Sequence, residues 1–312
     1  MADTRRTMAV VVSWEGGAAT RRCVESLLAQ LPPPARVMVV DNASSTAERT
    51  GLAGAFGSVS GVDLLLLDDN RHFAGGLNAG ARAAFEQGAT RVLLLNNDTV
   101  LAPGALAALD AALDADAGAG AVGPCVRDSN DPTRTLSLGE RHSLALLCVP
   151  RTLLRYRRPR PRPFRVSGLM GCALLVTRAC FEATGGFDEQ IQVYYEDVDF
   201  CLAARRHGFG LLVAPDAVLY HDGLRGFAAG LTPWAAYLKA RNPWLLLRRH
   251  ASAAAWLPFV PSYAAMIGAS AVLYRLRGRA DVARALGRGA AAGVRAVMGA
   301  PVVPAGAPTE DI

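Results

Sequence analysis

The first half of the chain alternates short apolar runs with amphipathic stretches, and this alternation constrains the fold more than any other feature. The runs are rich in β-branched residues and lie at Met8–Ser13, Arg36–Asp41, Val62–Leu67 and Arg91–Asn96. Apolar residues at helical spacing occupy the stretches Ala18–Gln30, Gly75–Gln87 and Pro103–Leu113. Strand–helix–strand units of this kind build a parallel sheet covered by helices. The sequence therefore predicts an α/β nucleotide-binding domain.

A second set of elements is predicted after residue 165. Two strand-like runs and two helical ones occur there, at Val166–Thr177, Arg178–Thr184, Glu196–His207 and Gly208–Ala214. Arg151–Arg165 is rich in proline and arginine, has no period and is predicted to be a loop. We expect one domain over residues 1–240, with a nucleotide-binding part over residues 1–126 and a second part over residues 166–240.

Length and composition exclude a small scaffold held by disulfides. The chain has 312 residues, is 51% hydrophobic and can bury a large core. Its six cysteines are scattered without metal-ligand spacing, which favours buried thiols in a reducing compartment. Residues 1–7 lead straight into a strand-like run rather than a signal-peptide pattern, so a cytoplasmic protein is expected. The net charge of +6 comes from arginines concentrated after position 150, which suit phosphate groups.

Polar residues directly follow three predicted strands, at the edge where open α/β sheets bind ligands. They are Asp41-Asn42, Asp68-Asp69-Asn70-Arg71 and Asn96-Asn97-Asp98. Asp41 can accept hydrogen bonds from a ribose hydroxyl or a base N–H, and capping of the next helix is the alternative. Asn96 and Asp98 are expected to project to one face, where their oxygens can hold a divalent cation, and an ordinary polar turn is the alternative.

Gly75 and Gly76 lie at the predicted entry to a helix. Glycines there permit close approach of a ligand to the backbone. Tight packing of the helix on the sheet explains them equally well. The surrounding sequence is neither a P-loop nor a dinucleotide fingerprint.

Carboxylates and one histidine complete the set of candidate chemical groups. Glu196, Asp197 and Asp199 begin a predicted helix, on which Asp197 and Asp199 point about 200° apart. One of the carboxylates is therefore a candidate general base, and the others are caps or ion-pair partners. His221 follows a strand-like run, and a neutral imidazole beside a carboxylate is a suitable ligand set for Mn²⁺, although an ordinary exposed histidine is the alternative.

Six short motifs occur in a characteristic order. They are Val39-Val-Asp-Asn-Ala-Ser44, Asn70-Arg-His-Phe-Ala-Gly-Gly76, Leu94-Leu-Asn-Asn-Asp-Thr99, Gly185-Gly-Phe-Asp188, Tyr195-Glu-Asp-Val-Asp199 and Tyr220-His221. From about Ala9 to about Asn242 the chain thereby resembles family 2 glycosyltransferases, especially rhamnosyltransferase-like and galactofuranosyltransferase-like members. The resemblance implies the GT-A fold, a Rossmann-like mixed sheet flanked by helices, here with a C-terminal helical extension. Within the domain, residues 1–126 would bind the donor, and residues 166–240 would form the acceptor and catalytic part.

The resemblance also implies a role for each candidate residue. Asp197 would be the base of a direct displacement that inverts the anomeric centre. Mn²⁺ or Mg²⁺ would be held by Asp98 of a degenerate D-x-D motif, with His221 and Asn96. The predicted nucleotide-sugar site consists of Asp41, Asn42, Asn70, Arg71, Gly75, Gly76, Asn97 and Glu196.

Departures from the family pattern refine these expectations. Asn96 replaces the first acid of the common D-x-D motif. His72 stands where glycine is frequent, so the sequence does not predict the backbone conformation at this position. The Q-x-x-R-W motif of processive members is not present, which favours transfer of a single sugar. The subfamily resemblance implies dTDP-rhamnose as donor, with a UDP-sugar as the alternative. The acceptor would be a hydroxyl on a cell-envelope glycan, a glycolipid or a secondary metabolite.

Residues 241–312 are predicted to form a helical segment that ends in a disordered tail. Positions 251–274 are uncharged and long enough to span a bilayer, but they contain Pro258 and Pro261 and are flanked by arginines on both sides. Amphipathic helices on the inner membrane face are favoured, and they would suit a lipid-linked acceptor. The alternatives are a bilayer span and a soluble element for packing or homodimerisation.

Two other classes compete with a transferase. A sugar nucleotidylyltransferase shares the layout but needs a triphosphate loop rich in Gly, Arg and Lys after the first strand, which is missing. A non-catalytic scaffold would bind membrane or nucleic acid through its arginines, and the retained Asp41, Asp98, Asp197 and His221 argue against it. No nucleic-acid partner is expected.

Overall fold

The computed structural model describes residues 6–144, 155–156, 162–222, 231–302 and 305. Ten strands in these ranges form one mixed sheet. In chain order they are β1 (Thr7–Ser13), β2 (Val37–Asp41), β3 (Val62–Leu66), β4 (Arg91–Asn96), β5 (Thr99–Leu101), β6 (Ala119–Asp128), β7 (Thr135–Ser137), β8 (Phe164–Val166), β9 (Ala173–Thr177) and β10 (Gly210–His221). The helices are α1 (Gly17–Leu28), α2 (Thr46–Phe56), α3 (His72–Glu86), α4 (Ala105–Asp114), α5 (Arg178–Thr184), α6 (Glu196–Arg206), α7 (Pro233–His250), α8 (Ala253–Leu276) and α9 (Ala280–Val297).

The sheet has a parallel half and a mixed half. Its strand order is β3-β2-β1-β4-β9-β6-β10-β5, with β7 on β6 and β8 on β10. Strands β1 to β4 are parallel, whereas β9 is antiparallel to both β4 and β6. The four strands predicted in the first half are confirmed to within one residue at each end. The predicted α/β class and mixed sheet are therefore correct.

Helices cover both faces of the sheet because successive side chains of each strand point to opposite sides. Val10 and Val12 of β1 pack in one core cluster with α3, whereas Val11 packs in the other with α1. Both clusters consist of fully or nearly fully buried residues. The carboxyl ends of β1, β2 and β4 therefore meet at one edge, which the helices leave uncovered.

Several predicted boundaries in the second half were wrong. The strand-like run predicted over Val166–Thr177 is strand only at Val166, the last residue of β8, and over Ala173–Thr177. Phe164 and Arg165, predicted as loop, also belong to β8. Two strand-like runs join into the single strand β10, which has a bulge between Ala214 and Val218. In the first half, helix α3 begins at His72, three residues before its predicted start at Gly75. The rest of the predicted loop lies outside the described residues, except for positions 155–156 and 162–163.

The C-terminal helices α7, α8 and α9 pack together, as predicted for a helical extension. Trp244 of α7 contacts Phe259 and Tyr263 of α8, with ring centroids 5.3 and 5.0 Å away. Helix α7 runs across the predicted domain boundary at residue 240, so the predicted domain over residues 1–240 and the C-terminal segment share a helix. Helix α8 is long and apolar enough to cross a bilayer, with a mean hydropathy of 1.4 over a window that is 11% buried. The predicted disordered tail beyond residue 305 lies outside the described residues.

The cysteines agree with the prediction of buried thiols. Cys23, Cys125, Cys172, Cys180 and Cys201 are all buried, and none of these five forms a disulfide in the described ranges. Burial raises the pKa of the Cys23 thiol to about 12, so it is protonated at neutral pH. The sixth cysteine, Cys148, lies outside the described residues.

Candidate active site

A cleft of about 270 Å³ opens at the uncovered edge of the sheet. Its walls combine polar side chains that follow three strands with aromatic rings. They are formed by Val12, Trp14, Asn42, Asn70, His72, Phe73, Asn96, Asn97, Asp98, Val193, Tyr194 and Trp234. The structure thus brings together five of the polar residues predicted for the site, from three separate strand ends.

The backbone places His221 beside Asp98. Asn96 is the last residue of β4, and Asp98 lies in the two-residue turn that leads to β5. Strand β5 pairs with the end of β10, where Thr99 lies opposite His221. The His221 Nε2 atom is 3.3 Å from Asp98 Oδ1. The two-residue period had treated Asp98 as a continuation of the strand, but Asp98 lies in a turn. It nevertheless lies next to Asn96 and His221.

Three polar atoms at this turn are buried: Asn96 Oδ1, Asp98 Oδ1 and His221 Nε2. None of them makes a hydrogen bond of normal geometry within the described part of the chain, although the Asp98 and His221 atoms face each other at 3.3 Å. Burial disfavours the charged form of Asp98, but the imidazole of His221 and the amide of Asn96 hold the pKa of the carboxyl below its ordinary value. A negative carboxylate thus lies beside two further potential ligand atoms.

These atoms fit a partial coordination shell for a hard divalent cation. Two neighbouring ligands of an octahedral ion with bonds of about 2.1 Å lie about 3 Å apart, close to the observed separation of Asp98 and His221. In the described ranges, no group of three or more His, Cys, Asp or Glu side chains could hold a metal ion. The amide of Asn96 and external oxygens would have to supply the other ligands.

Asp41 lies at the end of β2 and is fully buried. Its Oδ2 atom accepts hydrogen bonds from Arg49 Nε at 2.9 Å and from the backbone N–H of Ser44 at 3.3 Å. Its Oδ1 atom is buried with no hydrogen-bond partner among the described residues. Ser45 is the N-cap of α2, so helix capping does not account for Asp41. The carboxylate is held by one oxygen and retains the other as an acceptor.

Asn42 shapes the turn that precedes α3. Its Nδ2 group donates to Asn70 Oδ1 and to the carbonyl of His72, and its Oδ1 accepts from the backbone N–H of Arg71. His72 has a φ of +55°, in the left-handed region that glycine favours. The imidazole stacks on Trp234, with centroids 6.1 Å apart. The residue that departs from the family pattern therefore keeps the backbone of a glycine and joins the cleft wall to α7.

Gly75 and Gly76 lie in the first turns of α3, and the cleft lining contains neither of them. A Cβ on Gly76 would be 2.8 Å from Val12 Cγ1, and one on Gly75 would be 2.6 Å from Arg71 Cβ. Both distances are shorter than side chains tolerate. The structure thus accounts for both glycines by close packing of α3 on β1 and on its own preceding turn.

Asp197 and Asp199 begin α6 and have different partners. Asp199 is fully buried and binds Arg249 Nη1 and His250 Nε2, both at 2.6 Å. Asp197 Oδ2 accepts a hydrogen bond of 2.9 Å from the backbone N–H of Gly171. The sequence had left the roles of these carboxylates open, and Asp199 is the ion-pair partner.

Asp197 lies close to the turn that carries Asp98. The carbonyl of Cys172, the residue after the partner of Asp197, accepts a hydrogen bond of 3.0 Å from the backbone N–H of Asn96. Burial, together with the nearby charges of Asp98 and Asp197, raises the pKa of the Cys172 thiol. Glu196 precedes the base candidate at the start of α6 and is 7% exposed, outside the cleft lining.

The segment before α6 has an unusual backbone. Gln192, Tyr194 and Tyr195 have φ values of +67°, +63° and +73°, which residues other than glycine rarely adopt. Such conformations persist only where the surroundings enforce them. Val193 and Tyr194 line the cleft, so this strained segment both forms a wall and leads directly to Asp197.

Two buried residues of α7 hold that segment, and sequence reasoning assigned them no role. Asn242 Nδ2 lies within 3.0 Å of the carbonyls of Ile191, Val193 and Tyr194. Arg241 Nη2 donates to the carbonyls at positions 190 and 191, and Nη1 donates to the side chain at position 192. We call Arg241 and Asn242 the clamp. The detectable signal was a polar pair directly before Pro243 inside a largely apolar helical stretch.

Similar proteins include two rhamnosyltransferases. A dTDP-rhamnosyl transferase, RfbF of Shigella flexneri, is 24% identical over 224 residues, which cover 69% of this chain and 71% of that protein. An N-acetylglucosaminyl-diphospho-decaprenol L-rhamnosyltransferase of Mycobacterium tuberculosis is 32% identical over 162 residues, which cover 48% of this chain and 52% of that protein. The chain therefore spans about half the length of the mycobacterial relatives that it matches.

The fold is also found in solved structures and in a family model. The mannosyltransferase PcManGT of Pyrobaculum calidifontis, solved with GDP-Man and Mn²⁺, superposes with a TM-score of 0.57 at 18% identity, covering 93% of this chain and 87% of that one. This likeness establishes the GT-A fold. The family described as "Glycosyltransferase like family 2" matches residues 5–249. The chain belongs to that family.

Proposed function

We propose that the chain is a glycosyltransferase that moves a single sugar from a nucleotide-diphosphate sugar to an acceptor hydroxyl with inversion, and that it requires a divalent cation. The observation that carries the proposal is the group of buried polar atoms on Asn96, Asp98 and His221, which make no hydrogen bond of normal geometry with the described residues. Asn96 and Asp98 line the cleft, and His221 lies beside Asp98. Unsatisfied buried polar atoms are costly in a folded protein, so their presence indicates a ligand. The likeness to two rhamnosyltransferases supports dTDP-rhamnose as donor, with a UDP-sugar as the alternative.

Five donor-side residues have a role in binding under this proposal. The second carboxylate oxygen of Asp41 accepts a hydrogen bond from the nucleotide, and Asn42 holds Asn70 and Arg71 towards the base or diphosphate. Asn97 lines the cleft and donates from Nδ2 to Thr20 Oγ1 at 3.1 Å, and under the proposal it contacts the diphosphate. A cation on Asp98, His221 and Asn96 would neutralise charge on the departing diphosphate.

Asp197 acts as the base in the transfer. Its carboxylate takes the proton from the acceptor hydroxyl while that oxygen bonds to the anomeric carbon. The bond between the anomeric carbon and the diphosphate oxygen breaks on the opposite side, and its electron pair leaves with the nucleoside diphosphate. A single in-line displacement inverts the anomeric centre. The backbone N–H of Gly171 holds Asp197 in place throughout.

The acceptor in this proposal is a lipid-linked hydroxyl at the inner face of the cytoplasmic membrane. The mycobacterial relative is named for transfer to a diphospho-decaprenol-linked sugar, which supports a lipid-linked acceptor here. Other cell-envelope glycans, glycolipids and secondary metabolites present the same hydroxyl chemistry. The cleft contains the aromatic rings of Trp14, Tyr194 and Trp234, which suit contact with a sugar ring.

A panel of nucleotide sugars, tested by thermal shift with and without Mn²⁺, examines the proposal. A donor that binds only the folded state at 100 times its Kd should raise stability by about 2.7 kcal/mol. We expect a shift with dTDP-rhamnose or a UDP-sugar that requires Mn²⁺ and is lost in Asp98→Ala. Release of nucleoside diphosphate would support a transferase, whereas release of pyrophosphate would indicate a nucleotidylyltransferase. Absence of both binding and release would favour a scaffold.

A further inference from the structure

Helix α8 exposes a continuous apolar surface. Leu257 and Leu276 are 80% and 81% exposed, and Val260, Val272 and Leu273 are 44–56% exposed. At 100° per residue, Leu257, Val272 and Leu276 fall within about 100° of one another, opposite the buried Phe259 and Tyr263. We call the outward side of this helix the α8 face. Exposed apolar surface of this extent is typical of a binding surface.

The inward side of α8 is attached along its length. Near its start, Phe259 and Tyr263 pack on Trp244 of α7. Near its end, Tyr274 joins a cluster with Leu286 of α9 and alanines of α7. Helices α7 and α9 carry exposed arginines, so a bilayer crossing by α8 would draw charge into hydrocarbon unless these contacts broke. The attached helix can present its outward side only to a surface that lies parallel to it.

The charge of this region favours an anionic surface. Residues 248–302 contain eight arginines and one acidic residue, Asp281, and so carry a net +7, compared with +6 for the whole chain. Arg275 and Arg277, at the end of the α8 face, are exposed, and positions 251–280 contain no carboxylate. A second copy of the chain would bring like charges together on this face, whereas anionic lipid headgroups would neutralise them.

We propose that the α8 face docks on an anionic phospholipid bilayer, with the helix in the plane of the membrane. The exposed leucines and valines enter the boundary between headgroups and acyl chains, and Arg275 and Arg277 meet the lipid phosphates. Helix α7 links this surface to the cleft, because it carries Trp234 in the cleft wall and Trp244 against α8, ten residues or about 15 Å along the axis. Docking thus brings the cleft wall that contains Trp234 near the membrane. Membrane binding by the α8 face requires neither the proposed donor nor the proposed metal.

Co-sedimentation of the full chain with vesicles tests this surface. The vesicles are phosphatidylcholine alone, or phosphatidylcholine with about 30% phosphatidylglycerol to mimic an anionic leaflet. The apolar variant is Leu257→Gln/Leu276→Gln, and its control is Leu31→Gln, since Leu31 is 83% exposed between α1 and β2. The charge variant is Arg275→Gln/Arg277→Gln, and its control is Arg21→Gln on α1, which is also an exposed arginine. Binding is measured without donor or metal, so failure here is separate from failure of the transferase proposal.

Binding to the anionic vesicles is the expected result, with weaker binding at high salt. The leucine variant should bind the vesicles at least about tenfold more weakly than the unaltered protein. The arginine variant should bind about tenfold more weakly, and both controls should bind as the unaltered protein does. Failure of the unaltered protein to bind either vesicle would overturn the proposal, as would equal binding by the leucine variant. A dimer in size-exclusion chromatography that the leucine variant disrupts, without vesicle binding, would assign the face to a second copy instead.

Discussion

The two sides of the cleft are built by different means. On the donor side, Asp41 and Asn96 are the last residues of strands whose pairing fixes them, and the backbone pairing of Thr99 with His221 sets the position of Asp98. On the base side, the segment from 190 to 195 pairs with no strand in the described part of the chain and is held by the clamp on α7. The positions of Asp41, Asn96 and Asp98 should therefore survive the loss of a side chain on the base side, whereas base-side geometry should not survive the loss of a clamp side chain.

The largest effect is expected for Asp197→Asn. The amide can still accept the hydrogen bond from Gly171, but it cannot take a proton from the acceptor, so kcat should fall about 10³-fold. Donor affinity should stay within twofold, because the donor side is built independently. Single-turnover kinetics and thermal shift with donor separate the two quantities. Glu189→Gln, on an exposed carboxylate in the segment before the base, is the control; unaltered turnover in Asp197→Asn would remove this residue from its role.

Asp98→Ala should weaken Mn²⁺-dependent donor binding at least about 100-fold, since loss of outer-shell partners of a metal ligand alone costs tenfold to 100-fold. Stability without metal should change little, because the pairing of β5 with β10 needs no side chain of Asp98. Titration of donor at fixed Mn²⁺ measures the first quantity and chemical denaturation the second. Asp68→Ala changes an exposed carboxylate after β3 and should leave both unchanged. If Asp98→Ala bound donor normally, the metal site would have to lie elsewhere.

The sequence predicted the donor side better than the base side, for a physical reason. A strand reveals itself through a local pattern, and its carboxyl end shows where polar residues will gather, so Asp41 and the turn at 96–98 could be placed in advance. The clamp joins residues about fifty positions apart through buried side chains, and no local period records such a contact. Likewise, the sequence alone left open whether Gly76 binds a ligand or packs, until the position of Val12 was known.

Asn242→Ala should test the clamp itself. The substitution removes one hydrogen-bond donor from each of the carbonyls of Ile191, Val193 and Tyr194, although Ile191 keeps the donor from Arg241. The free energy of unfolding should fall by about 3 kcal/mol. The loosened segment should also lower kcat about tenfold with donor affinity unchanged, because a small misplacement of a catalytic group is costly.

Gln30→Ala is the matched control for the clamp. Gln30 is 2% exposed and also makes three hydrogen bonds, to Ser26, Ala102 and Leu106, and none of these residues lines the cleft. It should lose similar stability, measured by urea denaturation, while the folded enzyme keeps its kcat. An equal loss of kcat in both variants would mean that the clamp contributes stability alone, and the contrast between the two sides would fail.

The smallest effect concerns His72, where the two sides meet. Its carbonyl accepts from Asn42 on the donor side, and its ring stacks on Trp234 of α7. Burial, and then the nearby charge of Arg241, lower the pKa of His72 below its ordinary value of 6.5. Between the folded-state and unfolded-state pKa values, the folded protein binds fewer protons than the unfolded chain, so stability falls as pH drops through that window.

His72→Gln should remove that part of the pH dependence. The melting temperature of the unaltered protein should fall more between pH 7 and pH 5.5 than that of the variant, whereas His207→Gln, on an exposed histidine at the end of α6, should behave like the unaltered protein. If His72→Gln kept the full pH dependence, His72 would be insensitive to the clamp's charge. The two sides of the cleft would then be electrostatically independent as well as separately built.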